Sequence, residues 1–174
     1  SSDAYAAEIL KTMHAMKKKG AKICFDPNIR VEHMRDESKY NIIREVMEST
    51  NIFLPGVSEL LLVTGETDVE KAVEKCFENP NLEILCLKNG SEGSIVYTRD
   101  KKIAMGAYKV ETKDATGAGD SFDGGFLASL SLGMSLEEAA KNGAACGALN
   151  AAAFGPMEGD ITPENVAKLI ADNE

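Results

Sequence analysis

The chain has 174 residues, with 19 Lys and Arg against 28 Asp and Glu, a formal charge of −9. Hydrophobic residues make up 44% and charged residues 27%, and the length suits one globular domain with a substantial core. The acidic balance argues against a nucleic-acid partner, and no apolar run approaches the roughly 18 residues needed to span a membrane.

In chain order, the apolar spacing predicts a helix over about 4–19, with Ser1, Ser2 and Asp3 reading as its cap. A buried strand is expected at 21–25, ending in the polar loop Asp26-Pro27-Asn28-Ile29-Arg30. A second helix is expected at 39–48 and a strand at 52–54. After Leu54-Pro55-Gly56 a short helix should end at Gly65, a common C-terminal stop. A helix at about 69–77 leads to an apolar strand at 82–87, followed by a glycine turn containing Gly90 and Gly93. Strands at 94–98 and 102–105 read as a hairpin-like pair, and the remainder reads as mainly helical, with Thr162 capping a last helix that Pro163 opens. Alternating strands and helices predict an α/β fold with a mostly parallel sheet covered by helices on both faces.

The run Thr112 to Phe126, TKDATGAGDSFDGGF, carries the chemistry. Gly117 and Gly119 lack Cβ, so the backbone can turn sharply and present its N–H groups to an anion. The helix expected from Ser121 onward adds unpaired first-turn donors and the positive end of its dipole. Asp120 puts a negative charge inside this cradle. Taken alone it reads as an N-cap; within the whole run it reads as a general base for a hydroxyl that receives a phosphoryl group.

DATGAGDSFDGGF resembles the C-terminal signature of the PfkB, or ribokinase-like, family of carbohydrate kinases, and three further segments match in the same order across nearly the whole chain. The resemblance implies a three-layer α/β/α fold with Asp120 as catalytic base and Gly117, Ala118 and Gly119 as anion hole. KICFDPNIR is similar to the family's DPNxR segment, which makes Asn28 and Arg30 candidates for contacts to substrate or transferred phosphate. Arg30 suits this through its planar, permanently charged fork. NIFLPGVSE corresponds to the family's NxxE region, so Glu59 is the match for the glutamate that organises Mg²⁺ and its waters, although Gly56 stands where asparagine is usual. LCLKNGSEG matches the element bordering the nucleotide, which places Lys88, Gly90 and Gly93 near ATP. Asp114, the segment around Thr116 and the loop 153–159 resemble elements that hold a monovalent cation, K⁺, beside the anion hole.

By the same resemblance, residues 1–174 correspond to the C-terminal nucleotide-binding and catalytic-base portion of a sugar kinase. The N-terminal part of the fold, with its lid and the homodimer formed through it, would lie outside this chain. The segments DPNIR and LPGVSE are closest to the fructokinase and 2-keto-3-deoxygluconate kinase branch. The expected partners are therefore ATP and a small sugar or sugar acid, with a nucleoside kinase or a non-catalytic nucleotide-binding fragment as alternatives. A dinucleotide-binding oxidoreductase fits less well, because TGAGDSFDG is not G-x-G-x-x-G.

Other features have plainer readings. Cys24, Cys76, Cys86 and Cys146 are scattered and read as reduced, mostly buried thiols. No secretory leader is recognisable, so the expected compartment is the cytoplasm. The Gly143 and Gly147 pair reads as close helix packing rather than a membrane motif. His14 and His33 stand apart from other ligand types.

Overall fold

The computed structural model describes residues 2–29 and 37–173. Its elements in order are α1 (Ser2–Lys18), β1 (Cys24–Phe25), α2 (Glu37–Ser49), β2 (Ile52–Phe53), α3 (Val57–Thr64), α4 (Val69–Cys76), β3 (Ile84–Lys88), β4 (Ser94–Tyr97), β5 (Lys102–Met105), α5 (Ala118–Ser131), α6 (Leu136–Ala151) and α7 (Pro163–Ala171). Five strands form one sheet in the order β1-β2-β3-β4-β5. The first three are parallel, with Cys24 opposite Ile52 and Ile52 opposite Ile84. Parallel pairing needs a crossover each time, which α2 and the α3–α4 pair supply. The four-residue turn at Thr98 and Lys101 instead reverses the chain between β4 and β5.

The chain divides into two compact units, residues 1–87 with 97–101, and residues 88–96 with 102–174. In the first, Phe53, Leu54, Leu60 and Leu85 are fully buried, and Phe25 stacks on Phe53 with ring centroids 5.9 Å apart. Each such side chain contributes roughly 1.5–3 kcal/mol on leaving water. Strand β1 is shorter than its apolar run suggests. Only Cys24 and Phe25 keep the ladder, while the Ile23 carbonyl accepts from both Asn51 and Ile52. Helix α4 begins at Asp68, whose side chain accepts from Lys71 N–H, and α3 stops at Gly65 in the left-handed conformation (φ 72°).

In the second unit α5 and α6 pack closely because their facing positions are small. A Cβ on Gly125 would stand 2.6 Å from Cys146 Sγ, and those on Gly143 and Gly147 would stand 3.0 Å from the Phe122 and Ala118 carbonyls. The Gly143 and Gly147 pair therefore serves helix packing, as its sequence context predicts. Ser135 opens α6 with a capping box to Glu138, and Thr162 accepts from Asn165 N–H to open α7 on Pro163. Among the described residues no helix is long and apolar enough to cross a membrane. None of the four cysteines is in a disulfide; Cys76, Cys86 and Cys146 are buried, but Cys24 is exposed on β1. Burial pushes the Cys76 thiol up to about 12, with Lys75 opposing, so it stays protonated at neutral pH.

Candidate functional site

The sequence-predicted residues fall into two groups, one in each unit. The group in the second unit is built on the start of α5. Gly117 is the N-cap residue in the left-handed conformation (φ 76°, ψ 0°), and α5 begins at Ala118, three residues before the start read from the sequence. Only one of the two loop glycines uses its conformational freedom. Gly117 needs it, and a Cβ there would also lie 2.0 Å from the Pro156 carbonyl oxygen. Gly119 is helical, and its nearest neighbour would be Lys88 Nζ at 3.8 Å.

The helix start leaves donors open. Ala118 N–H donates to the Ala115 carbonyl at 3.2 Å and Ser121 N–H to Gly117 at 2.9 Å. Among the described residues, the N–H groups of Gly117, Gly119 and Asp120 have no acceptor. The open donors of the predicted anion hole are thus Gly117 and Gly119, joined by Asp120 in place of Ala118. Asp120 is the third helical residue, so it is not the N-cap. Its carboxylate is exposed and has no hydrogen-bond partner among the described residues.

Behind the cradle, the loop after α6 is clamped to the loop before α5. Asp114 Oδ1 accepts from Thr116 N–H at 2.9 Å, and Oδ2 accepts from Gly155 N–H at 3.1 Å. Hydrogen bonds from Thr116, then Gly155, hold this carboxyl below its ordinary value. The fully buried Asn150 donates from Nδ2 to the Thr116 carbonyl at 2.8 Å, while its Oδ1 has no partner among the described residues. A Cβ on Gly159 would strike Asn150 Cα at 2.5 Å. The carboxylate and the unpartnered amide oxygen are hard oxygen donors, the type a monovalent cation takes, and Asn150 had no signal in the sequence beyond a polar residue among small ones.

Lys88, at the end of β3, is neither solvated nor free. Its Nζ donates to both carboxylate oxygens of Asp123, at 3.0 and 2.9 Å, with both side chains largely buried. Asp123 was overlooked in the sequence, where its signal was a carboxylate between the core residues Phe122 and Phe126. Gly90 (φ 54°) opens a 3₁₀ turn through Glu92. Gly93 (φ 98°) closes it where a Cβ would lie 2.0 Å from the Met105 carbonyl oxygen.

In the first unit, Asn28 has φ 40° and its N–H donates to Asp26 Oδ1 at 3.1 Å, a turn that asparagine tolerates. Arg30 and His33 lie outside the described residues. Glu59 accepts from Ile29 N–H at 2.7 Å through Oε1 and from Gly56 N–H at 2.8 Å through Oε2. Both oxygens are engaged, so Glu59 fits a Mg²⁺ ion held through water better than direct ligation. No cluster of three or more His, Cys, Asp and Glu among the described residues fits a metal ion. His14 Nε2 stands 3.6 Å from Glu45 Oε1.

The model of the pfkB family carbohydrate kinases matches residues 2–163. The chain is 34% identical over 170 residues to fructokinase-1 of Oryza sativa subsp. japonica, covering 92% of this chain and 52% of that protein. It is 30% identical over 161 residues to 2-dehydro-3-deoxygluconokinase of Bacillus subtilis (strain 168), covering 91% and 49%. Among solved structures, an E. coli ribokinase II candidate in complex with ATP and Mg²⁺ matches with a TM-score of 0.91 at 32% identity, over 94% of this chain and 53% of that one. Arabidopsis thaliana ribokinase complexed with ribose and ATP matches with a TM-score of 0.81 at 26% identity, over 95% and 52%. The fold is thus ribokinase-like, and the chain spans about half the length of the curated relatives it matches.

Proposed function

Since the chain belongs to the pfkB family of carbohydrate kinases, we propose that the full-length protein transfers the γ-phosphoryl group of ATP to a hydroxyl of a sugar or keto-sugar acid. One observation carries the reading: an exposed carboxylate, Asp120, without a partner among the described residues, stands in the first turn of α5 directly after Gly119 and three residues after Gly117, both with open N–H groups. That is where phosphoryl transfer needs an anion site and a proton acceptor side by side.

A carboxylate is too weak a base to deprotonate an alcohol beforehand. Asp120 therefore takes the proton on a carboxylate oxygen as the new O–P bond forms. The N–H groups of Gly117, Gly119 and Asp120 face the phosphoryl oxygens, and their stabilisation grows as negative charge shifts onto them. Gly90 and Gly93 shape the turn beside the nucleotide, and Lys88 supplies positive charge. Mg²⁺ would offset the charge of the phosphates, with Glu59 ordering its waters. Asp114, the segment around Thr116, Asn150 Oδ1 and the loop 153–159 would hold K⁺, whose charge supports the cradle from behind. Asn28 and Arg30 are assigned to the sugar or the transferred phosphate. The protein is expected to work in the cytoplasm, as a homodimer through a lid outside this chain.

The similarity to a fructokinase and to a 2-dehydro-3-deoxygluconokinase supports the ketose and keto-deoxy-sugar-acid branch. The test is a panel of ketohexoses, ribose, keto-deoxy sugar acids and adenosine, assayed with full-length protein, ATP and Mg²⁺. Fructose or a keto-deoxy acid should show the highest kcat/KM. Preference for adenosine or ribose overturns the substrate class, and no turnover of any acceptor overturns the activity.

A further inference from the structure

The buried pair of Lys88 and Asp123 has no role in the reaction outlined so far beyond Lys88's charge, and its position is electrostatically costly. Lys88 Nζ lies 3.8 Å from where a Cβ on Gly119 would stand, so the ammonium sits against the first turn of α5. The positive end of a helix dipole favours an acid there and disfavours a cation. Burial adds a desolvation cost, since the two side chains are only 15% and 11% exposed. A pair that served the fold alone could be replaced by apolar side chains of similar volume at little loss. An anion in the cradle changes this balance, because it faces a cation that is already desolvated and aimed.

Asp123 does the aiming. It follows Gly119 by four residues, one turn along α5, and therefore lies on the same face of the helix. Both of its oxygens accept from Lys88 Nζ, at 3.0 and 2.9 Å, which fixes the end of a flexible four-carbon chain. The helix carrying it is anchored by Phe126, fully buried, and by the close approach of α6.

We propose that Asp123 is a positioning residue that holds the Lys88 ammonium beside Gly119, so that a phosphate entering the cradle meets a fixed cation. This rests on the reading of the loop as a phosphate site. The two charges give the idea a test of sign. If Asp123 were only a bystander charge, removing it would relieve repulsion and tighten anion binding. As a positioning residue, its loss frees Lys88 and weakens binding although the site becomes more positive.

The experiment is calorimetric titration of a non-hydrolysable ATP analogue with Mg²⁺ into the full-length protein, since its γ-phosphate reaches the cradle. Asp123→Asn should bind about tenfold more weakly than wild type, the loss of one charge-assisted hydrogen bond. The paired replacement Lys88→Met with Asp123→Leu should keep the wild-type Tm and lose affinity for the analogue by at least as much, an outcome that a purely structural pair does not give. If Asp123→Asn fails to fold, Asp123→Ser is titrated in its place, with the same outcomes. Unchanged or tighter binding by the single variant, or full affinity in the paired variant, overturns the inference and leaves the proposed function standing. A wild type that does not bind the analogue overturns both.

Discussion

Two acidic side chains occupy the same position in two helices, one in each unit, and their surroundings make different groups of them. Helices α3 and α5 both follow a glycine N-cap, Gly56 and Gly117, and Glu59 and Asp120 are each the third helical residue. Gly56 is extended (φ −77°, ψ 164°), and Glu59 folds back to accept its N–H and that of Ile29. Gly117 is left-handed (φ 76°, ψ 0°), and Asp120, one methylene shorter, remains exposed without a partner among the described residues. Position in the helix thus does not decide whether an acid caps or stays available. The backbone of the N-cap residue and the reach of the side chain decide it.

The largest effect should come from removing the available acid. Asp120→Asn in the full-length protein should lower kcat by about 10²–10⁴-fold, because it removes the proton acceptor while keeping shape and polarity. Stability should stay within about 0.5 kcal/mol, as expected for an exposed side chain with no partner. Near-normal turnover would remove Asp120 from the mechanism and make the two helix starts functionally alike.

The backbone of the N-cap can be changed next. Gly117→Ala forces a Cβ into a left-handed residue, 2.0 Å from the Pro156 carbonyl oxygen. The expected loss is about 2–4 kcal/mol, from strain and overpacking together. Gly119→Ala, in helical conformation with no neighbour closer than 3.8 Å, should instead stabilise by about 0.5–1 kcal/mol. Urea unfolding of both variants checks the contrast. Equal destabilisation would show that the second glycine is also constrained.

That contrast also marks what the sequence could reveal. The glycine run, Asp120 and the alternation of strands and helices lie in local patterns, so they were legible. The start of α5 was misread by three residues because glycine is a poor helix former. Residues 118–120 also lie under α6, where a Cβ on Gly147 would stand 3.0 Å from the Ala118 carbonyl oxygen, a proximity across 29 residues that no local pattern shows. For the same reason the sequence places Lys88 only near the nucleotide and gives no sign of its partner Asp123, which is 35 residues away. Strand 21–25 shrank to two residues: the ladder to β2 starts with the Ile23 carbonyl, which accepts from Ile52 and also from Asn51, and pairs only Cys24 and Phe25 among the described residues. The unpartnered oxygen of Asn150 follows from tertiary packing alone.

The capping acid should show the reverse of Asp120. Glu59→Gln keeps the side-chain length but turns an NH₂ group toward one of two backbone N–H donors, from Ile29 or Gly56. About 1–2 kcal/mol of stability should be lost, measured by urea unfolding. An unaffected midpoint would mean that Glu59 is held for another purpose, and the contrast with Asp120 would lose its physical basis.

Asp114 sharpens the comparison with the smallest effect, through pH. Like Glu59, it spends both oxygens on backbone N–H groups, from Thr116 and Gly155, and hydrogen bonds, first from the Thr116 side chain and then from those N–H groups, keep its folded pKa below the ordinary 3.8. A group whose folded pKa is lowered contributes stability that is full above its unfolded value and is lost as pH falls through the folded value. The Tm difference between wild type and Asp114→Asn should therefore be constant from neutral pH down to about 5, then shrink on further acidification. A difference for Asp114→Asn that persists unchanged into acid would mean that the carboxylate's charge does not hold the clamp between the two loops.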